Sequence, residues 1–359
     1  MKISNLLNIK RDSFTMDKSK YLRLDANERV IPFSKKEINK FTKVVKDFYL
    51  QSYPLERKKI ISKLAKMEKI NLNEISITPG ADTSLKYLFE IFSSRKGVVA
   101  TIYPTYGMVD VYAKIYSKRL LKIFEDQVEF FNDLKNYQNI AFIYLANPNS
   151  PTGKIIDEKN LLKIISNSNK MNIPLLVDET YIKFSKINSV KSKIKKFKNL
   201  IIIRTFSKFP GVAGLRIGCL ITNPQNIKIF NSVRPPHDIN HLSIKILEIL
   251  IKSSKSYLRE INKSKKYIKN ICKKKGLKYI MTEANFFHII FKSKLIKLIT
   301  AELYKKKILI NSGYAQYSKV KYTGSKNTLR VTIGSKKQMN YFFKNLFQII
   351  KRYNWNSKI

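Results

Sequence analysis

The stretch Leu200-Ile201-Ile202-Ile203-Arg204, followed by Thr205-Phe206-Ser207-Lys208, predicts a buried strand that ends in polar residues. Its apolar residues are continuous rather than alternating, which is typical of a strand buried on both faces of a parallel sheet covered by helices. Four further runs have the same character: 97–102, 140–145, 173–177 and 215–221. The sequence therefore predicts an α/β fold built on a mostly parallel sheet.

Segments of helical period separate these strands, among them 83–92 and 157–170. After Arg234-Pro235-Pro236 the sequence changes to long segments rich in Lys and Ile, with strands predicted at 286–291 and 329–333. This change favours a second, smaller α+β domain at the C-terminal end. The predicted organisation is an N-terminal arm (1–30), a large domain (31–238) and a small C-terminal domain (239–359).

The chain is strongly basic, with 70 Lys+Arg against 25 Asp+Glu and a net charge of +45. Only 12 of the basic residues are Arg, and 58 are Lys spread along the whole chain. Nucleic-acid readers favour Arg, whose planar fork binds phosphates and guanines bidentately. The bias to Lys therefore favours a solvated basic surface, with weak binding of polyanions and no specific nucleic acid. With 44% hydrophobic and 12% aromatic residues, the chain is not disordered as a whole.

The chain has two cysteines, Cys219 and Cys272, and no C-x-x-C motif, which supports neither a disulfide framework nor a structural zinc site. His237 and His241 are four residues apart, but no third ligand lies nearby in sequence, so no metal is expected. The first thirty residues lack the apolar core of a signal peptide, and no apolar run approaches the ~20 residues of a membrane span. These features predict a cytoplasmic protein without a membrane partner.

Each predicted strand is followed by a group suited to ligand binding, and ligands bind beyond the carboxyl ends of strands in open parallel sheets. The segments are Tyr103–Gly107, Asn147–Gly153, Asp178–Tyr181 and Thr205–Lys208. Pyridoxal phosphate needs such a set: an amine for its aldehyde, a carboxylate for its ring nitrogen, and N–H groups with a cation for its phosphate.

Particular residues suit each of these groups of the cofactor. Lys208 binds the aldehyde covalently, Asp178 pairs with the ring nitrogen, Tyr181 donates to the phenolic oxygen and Tyr106 stacks on the ring. The phosphate is assigned to the helix start at Gly80-Ala81-Asp82-Thr83, with Ser207 and Arg216. In a chain so poor in Arg, the Arg residues at positions 216 and 330 favour bidentate binding of anions.

The chain resembles the class I/II, fold-type I pyridoxal-phosphate aminotransferases, most closely the histidinol-phosphate aminotransferase branch. The matching blocks keep the family's order from about residue 21 to 334. They are Leu24-Asp25-Ala26-Asn27-Glu28, Tyr53-Pro54, Pro79–Asp82, Tyr103–Met108, Asn147–Gly153, Asp178–Tyr181, Ser207-Lys208, Ala213–Arg216 and Leu329–Gly334.

The resemblance implies the three-layer fold of these transferases, pyridoxal 5′-phosphate as cofactor and a homodimer whose active site lies at the subunit interface. It implies that Tyr53 acts on the neighbouring subunit's phosphate. It also assigns Arg330, Asn27 and Asn311 to the binding of a small anionic substrate. The catalytic residues it implies are Lys208, Asp178 and Tyr181.

Three positions depart from the family pattern. Ser150 stands where the family has an Asn that contacts the phenolic oxygen of the cofactor. Asn311 lies where an Arg of the histidinol-phosphate enzymes helps to hold the substrate phosphate, and it does not replace that charge. His237 follows Pro235-Pro236 in place of the usual Tyr.

The expected reaction is transfer of an amino group from a donor, glutamate, to a small oxo-acid or a phosphorylated ketone. Two alternatives remain open. The same fold supports decarboxylation of a phospho-amino acid, and a basic nucleic-acid-binding or regulatory protein could retain the fold without the activity.

Overall fold

The central feature of the molecule is a seven-stranded sheet with a second, smaller group of strands. The structure is a computed structural model, and it describes residues 17–46, 53–54, 57–132, 134, 139–312 and 327–353. In chain order its strands are β1 (Leu22–Leu24), β2 (Ile75–Thr78), β3 (Val98–Tyr103), β4 (Leu120–Phe124), β5 (Ile140–Ala146), β6 (Leu175–Asp178), β7 (Leu200–Thr205), β8 (Gly218–Ile221), β9 (Tyr279–Met281), β10 (Phe286–Ile290), β11 (Ile308–Ile310) and β12 (Thr328–Thr332).

Helices occupy most of the connections between these strands. They are α1 (Lys35–Lys46), α2 (Arg57–Glu68), α3 (Gly80–Ile91), α4 (Met108–Ile115), α5 (Glu158–Lys170), α6 (Pro224–Val233), α7 (His241–Ser253), α8 (Lys255–Lys274), α9 (Ser293–Lys305) and α10 (Lys336–Arg352). Side chains cap the N-termini of two of these helices: that of Asp157 caps α5 and that of Ser335 caps α10.

The larger compact unit contains residues 35–252. Its sheet has the strand order β2-β8-β7-β6-β5-β3-β4, in which β3 to β7 are parallel and β8 is antiparallel to both β7 and β2. In β7, Ile201 and Ile203 belong to the cluster formed with α3, α4 and α6, and Ile202 is also fully buried. Since successive side chains point to opposite faces, both faces of the sheet are covered.

This arrangement confirms the predicted fold class, an α/β fold with a mostly parallel sheet. One strand is shorter than expected, because the run predicted at 215–221 begins only at Gly218. Residues 213–215 form a short 3₁₀ turn, and Arg216 adopts a left-handed conformation with φ 47°. Such a backbone cannot belong to a strand. The short strand β2 was not predicted.

The smaller unit contains residues 17–34 and the residues from 253 onward. β1 pairs in parallel with β11, and β12, β10 and β9 form an antiparallel sheet. Residues 17–34 are therefore part of this unit through a strand pairing with residues almost 290 positions further along the chain. The arm and domain boundaries drawn from the sequence stay predictions.

A cluster of buried charges lies where β6 and β7 end. Arg204 contacts Glu179 at 2.7 Å and Glu68 of α2 at 2.6 Å, and the three side chains are 7% exposed or less. Lys191 and Lys183 contact Glu68 at 2.6 and 3.3 Å. Burial alone would raise the pKa of Glu68, but the charges of Arg204 and Lys183 and the hydrogen bonds outweigh it and lower this pKa to about 2.

We expect Glu68→Gln to destabilise the protein in a pH-dependent way. A carboxyl whose pKa is lowered by folding stabilises the folded state above its ordinary pKa of 4.5, and this stabilisation is lost as the pH falls toward about 2. The free energy of unfolding of the wild type should exceed that of the variant by on the order of 3 kcal/mol at pH 7, and this difference should shrink below pH 4.5.

Urea unfolding at pH 7, 5, 4 and 3 measures this difference. Glu158→Gln, at an exposed position in the first turn of α5, is the control and should show a small effect. A free-energy difference between wild type and Glu68→Gln that does not change with pH would contradict the prediction.

Candidate active site

The carboxyl ends of β3, β5, β6 and β7 form one edge of the larger unit's sheet. These four strands are parallel and adjacent in the order β7-β6-β5-β3. The segments that follow them carry Tyr106, Ser150, Asp178 with Tyr181, and Ser207 with Lys208. The structure therefore brings these sequence-predicted residues to the same edge, as the strand polarity required.

Asp178 is the last residue of β6 and is 6% exposed. Its Oδ1 accepts the backbone N–H of Thr180 at 2.9 Å, and its Oδ2 accepts the hydroxyl of Tyr144 at 2.8 Å. Burial raises the pKa of Asp178, although both hydrogen bonds act in the opposite direction. A buried carboxylate of this kind gains much from a cationic partner, which suits it to a protonated ring nitrogen.

Tyr106 and Tyr181 lie near this carboxylate. Burial and the negative charges of Asp82 and Asp178 raise the pKa of Tyr106, whose side chain stays a neutral phenol. Tyr106 remains 38% exposed, and Tyr181 is 5% exposed. One phenol thus presents an accessible ring at the edge of the sheet, and the other is enclosed three residues after Asp178.

Lys208 lies in a closed turn after β7. The N–H groups of Gly211 and Val212 donate to the carbonyl of Phe206 at 3.1 and 3.0 Å, so the chain returns on itself around Ser207 and Lys208. Lys208 is half-buried. Ser207 is anchored by its own N–H, which donates to Thr205 Oγ1 at 3.1 Å. The turn holds an amine and a hydroxyl next to each other.

The start of α3 lies beside the guanidinium of Arg216, and together they form a cradle. Gly80 has φ 85°, and a Cβ at this position would lie 3.2 Å from Nη2 of Arg216. A Cβ at Gly218 would lie 2.9 Å from the backbone nitrogen of Ala81. Both glycines keep the guanidinium and the helix start clear of side chains. The first N–H groups of a helix have no partner within the helix, so this cradle fits a phosphate.

The backbone of Arg216 is left-handed, which is rare for a residue with a side chain. Backbone strain of this kind occurs mainly where surrounding structure and function require it. Asp82 lies in the first turn of α3 and accepts the hydroxyl of Tyr112 at 3.2 Å. Ala81 and Asp82 therefore lie at the helix start that forms the cradle, and their contact with a cofactor stays a prediction.

Ser150 lies in the turn after β5 and is partly exposed. The preceding residue, Asn149, holds the turn in place: its side-chain amide donates to the carbonyl of Pro104 at 2.9 Å and to Thr152 Oγ1 at 3.0 Å. Asn149 therefore ties the segment after β5 to the segment after β3, where Tyr106 lies.

Tyr53 precedes α2 and is 71% exposed. Its ring stacks on His237, with centroids 4.4 Å apart and an interplanar angle of 22°. Nearby, Arg57 binds Asp238 Oδ1 at 2.9 Å and the carbonyl of Ile77 at 2.7 Å. The predicted action of Tyr53 on a neighbouring subunit stays a prediction, and His237 is now seen to be its stacking partner.

The smaller unit brings together the three predicted substrate residues. Asn27 is buried with φ 54°, and its N–H donates to Thr332 Oγ1 at 3.0 Å. Arg330 lies on β12, as Thr332 does, and its Nη2 donates to the carbonyl of Asp25 at 2.8 Å. Asn311 forms a backbone bridge with Arg330 through two hydrogen bonds of 2.9 and 3.2 Å.

Tyr144 is a contact residue of Asp178 that the sequence analysis did not single out. It lies inside β5, a strand that is otherwise apolar and that the sequence predicts to be buried. A signal was present, since a buried tyrosine usually needs a partner for its hydroxyl. What the sequence could not supply was the identity of that partner.

No group of three or more His, Cys, Asp or Glu side chains in the described part of the chain is placed to hold a metal ion. Among these same residues, no helix has the length and apolar character that crossing a membrane demands.

Comparison with known proteins places this chain in a family. A histidinol-phosphate aminotransferase of Flavobacterium psychrophilum is 33% identical over 337 residues, which cover 91% of this chain and 90% of the relative. The crystal structure of histidinol-phosphate aminotransferase from Sinorhizobium meliloti, in complex with pyridoxal-5′-phosphate, has a TM-score of 0.83 at 18% identity and covers 98% of both chains.

L-threonine-O-3-phosphate decarboxylase from Porphyromonas gingivalis shares the fold as well, with a TM-score of 0.77 at 18% identity, covering 92% of this chain and 99% of that one. The family described as aminotransferase class I and II matches residues 19–346. Sequence match, sheet topology and the residues at the sheet edge agree, and the chain belongs to the aminotransferase class I and II family.

Proposed function

We propose that this family member is a pyridoxal-phosphate-dependent aminotransferase similar in substrate class to the histidinol-phosphate enzymes. It transfers an amino group from an amino acid, glutamate, to a small oxo-acid or phosphorylated ketone. The observation that carries the proposal is the joint placement of Asp178 and Lys208 at one edge of the sheet, with the cradle of Gly80 and Arg216 in the same unit.

Each residue has a task that follows from its position. When bound, pyridoxal phosphate supplies an aldehyde for the amino group and a ring that accepts electrons. Arg216 and the first N–H groups of α3 would bind the phosphate, Tyr106 would stack on the ring and Tyr181 would donate to its phenolic oxygen. The carboxylate of Asp178 holds the proton at the ring nitrogen.

Lys208 has two tasks. Its Nζ would hold the cofactor through the aldehyde carbon, and as a free amine it would take and return the proton at the substrate carbon. Ser207 helps to hold the phosphate, and Arg330, with Asn27 and Asn311, binds the substrate anion.

The protein is proposed to act in the cytoplasm as a homodimer, with Tyr53 of each subunit binding the phosphate in the other. The exposure of Tyr53 supports this role, because a ring that is 71% exposed in one chain is available to a second. Its stack on His237 supports it further by holding the ring in place before the second subunit binds.

A decarboxylase of phospho-amino acids is the second candidate, favoured by the shared fold with the Porphyromonas gingivalis enzyme. Transfer and decarboxylation differ in the bond that breaks, while the demands on Lys208 and Asp178 are the same. A nucleic-acid-binding role is the remote alternative and would need no intact Lys208.

A half-reaction screen separates these candidates. Glutamate, histidinol phosphate and phosphothreonine are added singly to the loaded enzyme, and the shift of its visible absorption is followed together with release of carbon dioxide. We expect a stoichiometric spectral change with at least one amino donor and no carbon dioxide. Release of carbon dioxide without any oxo-acid acceptor would select the decarboxylase, and no response to any amine would contradict both.

Lys208→Ala should abolish the borohydride-sensitive visible absorption and lower kcat by about 10³-fold or more, since both the covalent bond and the proton transfer are lost. Absorption spectra before and after borohydride, with steady-state kinetics, measure these effects. Lys195→Ala, at an exposed position of the same unit, is the control. A variant of Lys208 that keeps the band would refute the assignment.

Arg216→Lys should weaken cofactor binding while keeping the charge. A lysine cannot offer the paired N–H groups of a guanidinium, and a hydrogen bond to a charged group contributes about 1.5–3 kcal/mol. We expect the Kd of the apoenzyme for pyridoxal 5′-phosphate to rise by about 10- to 100-fold. Fluorescence titration measures it, with the exposed Arg119→Lys as control. An unchanged Kd would remove Arg216 from the phosphate site.

A further inference from the structure

The hydroxyl of Tyr144 contacts Asp178, the carboxylate proposed to serve the cofactor's ring nitrogen, although Tyr144 is a core residue. It donates to Asp178 Oδ2 at 2.8 Å, and the side chain of Tyr144 is fully buried. β5 and β6 are neighbouring parallel strands in which Ala146 is opposite Asp178. Tyr144 precedes Ala146 by two residues, so its side chain leaves the sheet on the same face as Asp178.

Asp178 is thereby held at both oxygens. Oδ2 accepts from the side chain of Tyr144, and Oδ1 accepts from the backbone of Thr180 at 2.9 Å. Rotation of the carboxylate would break one bond or the other. An ionised carboxylate has about four acceptor sites, so two remain for a third donor.

The two donors also offset the cost of burying the charge. Burial raises the pKa of Asp178, and the hydrogen bonds from Thr180 and Tyr144 lower it. Burial and the neighbouring charge of Asp178 raise the pKa of Tyr144 well above 10, so Tyr144 is a neutral phenol that donates its proton.

Packing alone does not require this hydroxyl. Phe142 lies two residues earlier on β5 and belongs to the same apolar cluster as Tyr144, where its plain ring packs against Phe89 at 4.9 Å between centroids. A phenylalanine at position 144 would fill nearly the same volume. The oxygen atom is the part of Tyr144 that packing leaves unexplained.

We propose that Tyr144 is a positioning residue for Asp178, whose hydroxyl fixes the orientation and the charge of the carboxylate that serves the cofactor's ring nitrogen. This inference rests on the proposed function. Tyr144 touches neither the substrate nor Lys208 in the proposed reaction, and it acts through Asp178 alone.

The first test compares Tyr144→Phe with the wild-type holoenzyme. Loss of a hydrogen bond to a charged group should lower kcat about tenfold, with little change in the KM of the amino donor. Without the donor the ionised form of Asp178 is less stable, so its pKa rises and the acid limb of the kcat profile moves to higher pH. Tyr116→Phe is the matched control, since its hydroxyl also faces a carboxylate, that of Glu90, at 3.5 Å.

A second readout does not depend on turnover. The Kd of the apoenzyme for pyridoxal 5′-phosphate is measured between pH 5 and 8 for the wild type and for Tyr144→Phe. We expect the affinity of the variant to begin to fall at a higher pH than that of the wild type, because Asp178 takes up its proton earlier on acidification.

A double-mutant cycle separates positioning from packing. In an Asp178→Asn background no carboxylate remains, so adding Tyr144→Phe should change the single-turnover rate by less than about twofold. An equal loss in both backgrounds, or a lower Tm with unchanged kcat and acid limb, would show a structural role and overturn the proposal. A wild type without visible absorption or any half-reaction would instead refute the proposed function.

Discussion

The buried ion pair between Arg204 and Glu179 holds together the two strands on which the site depends. Glu179 directly follows Asp178, the last residue of β6. Arg204 lies on β7, four residues before Lys208. The N–H of Glu179 also donates to the carbonyl of Ile203 at 2.9 Å, which extends the pairing of the two strands. Removal of Arg204 would leave the buried carboxylate of Glu179 without the guanidinium that it contacts at 2.7 Å. The strand ends that precede the candidate site are thus joined by charges that take no part in the proposed reaction.

Sequence reasoning could predict the edge of the sheet because strand polarity is a local property. Continuous apolar runs identified β3, β5, β6 and β7, and the residues after each run had to lie at one edge. It could not predict that Tyr144 meets Asp178, since this contact depends on the register between β5 and β6. It also missed the break before Gly218, because the left-handed backbone of Arg216 is imposed by its surroundings rather than by its residue type.

The smaller unit shows the same limit on a longer scale. Asn27 and Thr332 are hydrogen-bonded although they lie 305 positions apart in the sequence, and β1 pairs with β11. Motif order placed Asn27 and Arg330 in one family pattern without giving a reason for their proximity. The structure supplies it: Thr332 receives the N–H of Asn27, and two residues earlier on β12 Arg330 donates to the carbonyl of Asp25. One strand therefore organises both residues.

The positions of the acidic residues explain what the large positive charge of the chain can do. Glu68, Glu179 and Asp238 form ion pairs, and their own side chains are no more than 4% exposed. The side chain of Lys183, which pairs with Glu68, is 44% exposed. Carboxylates that lie inside leave an outer surface dominated by lysines, which attracts any anion over a Debye length of about 8 Å at physiological salt. Such attraction cannot distinguish one anion from another. Selection must come from contacts, and in the proposed substrate site the residue that pairs with Arg330 is Asn311, whose amide donates a hydrogen bond but adds no charge for a second negative group.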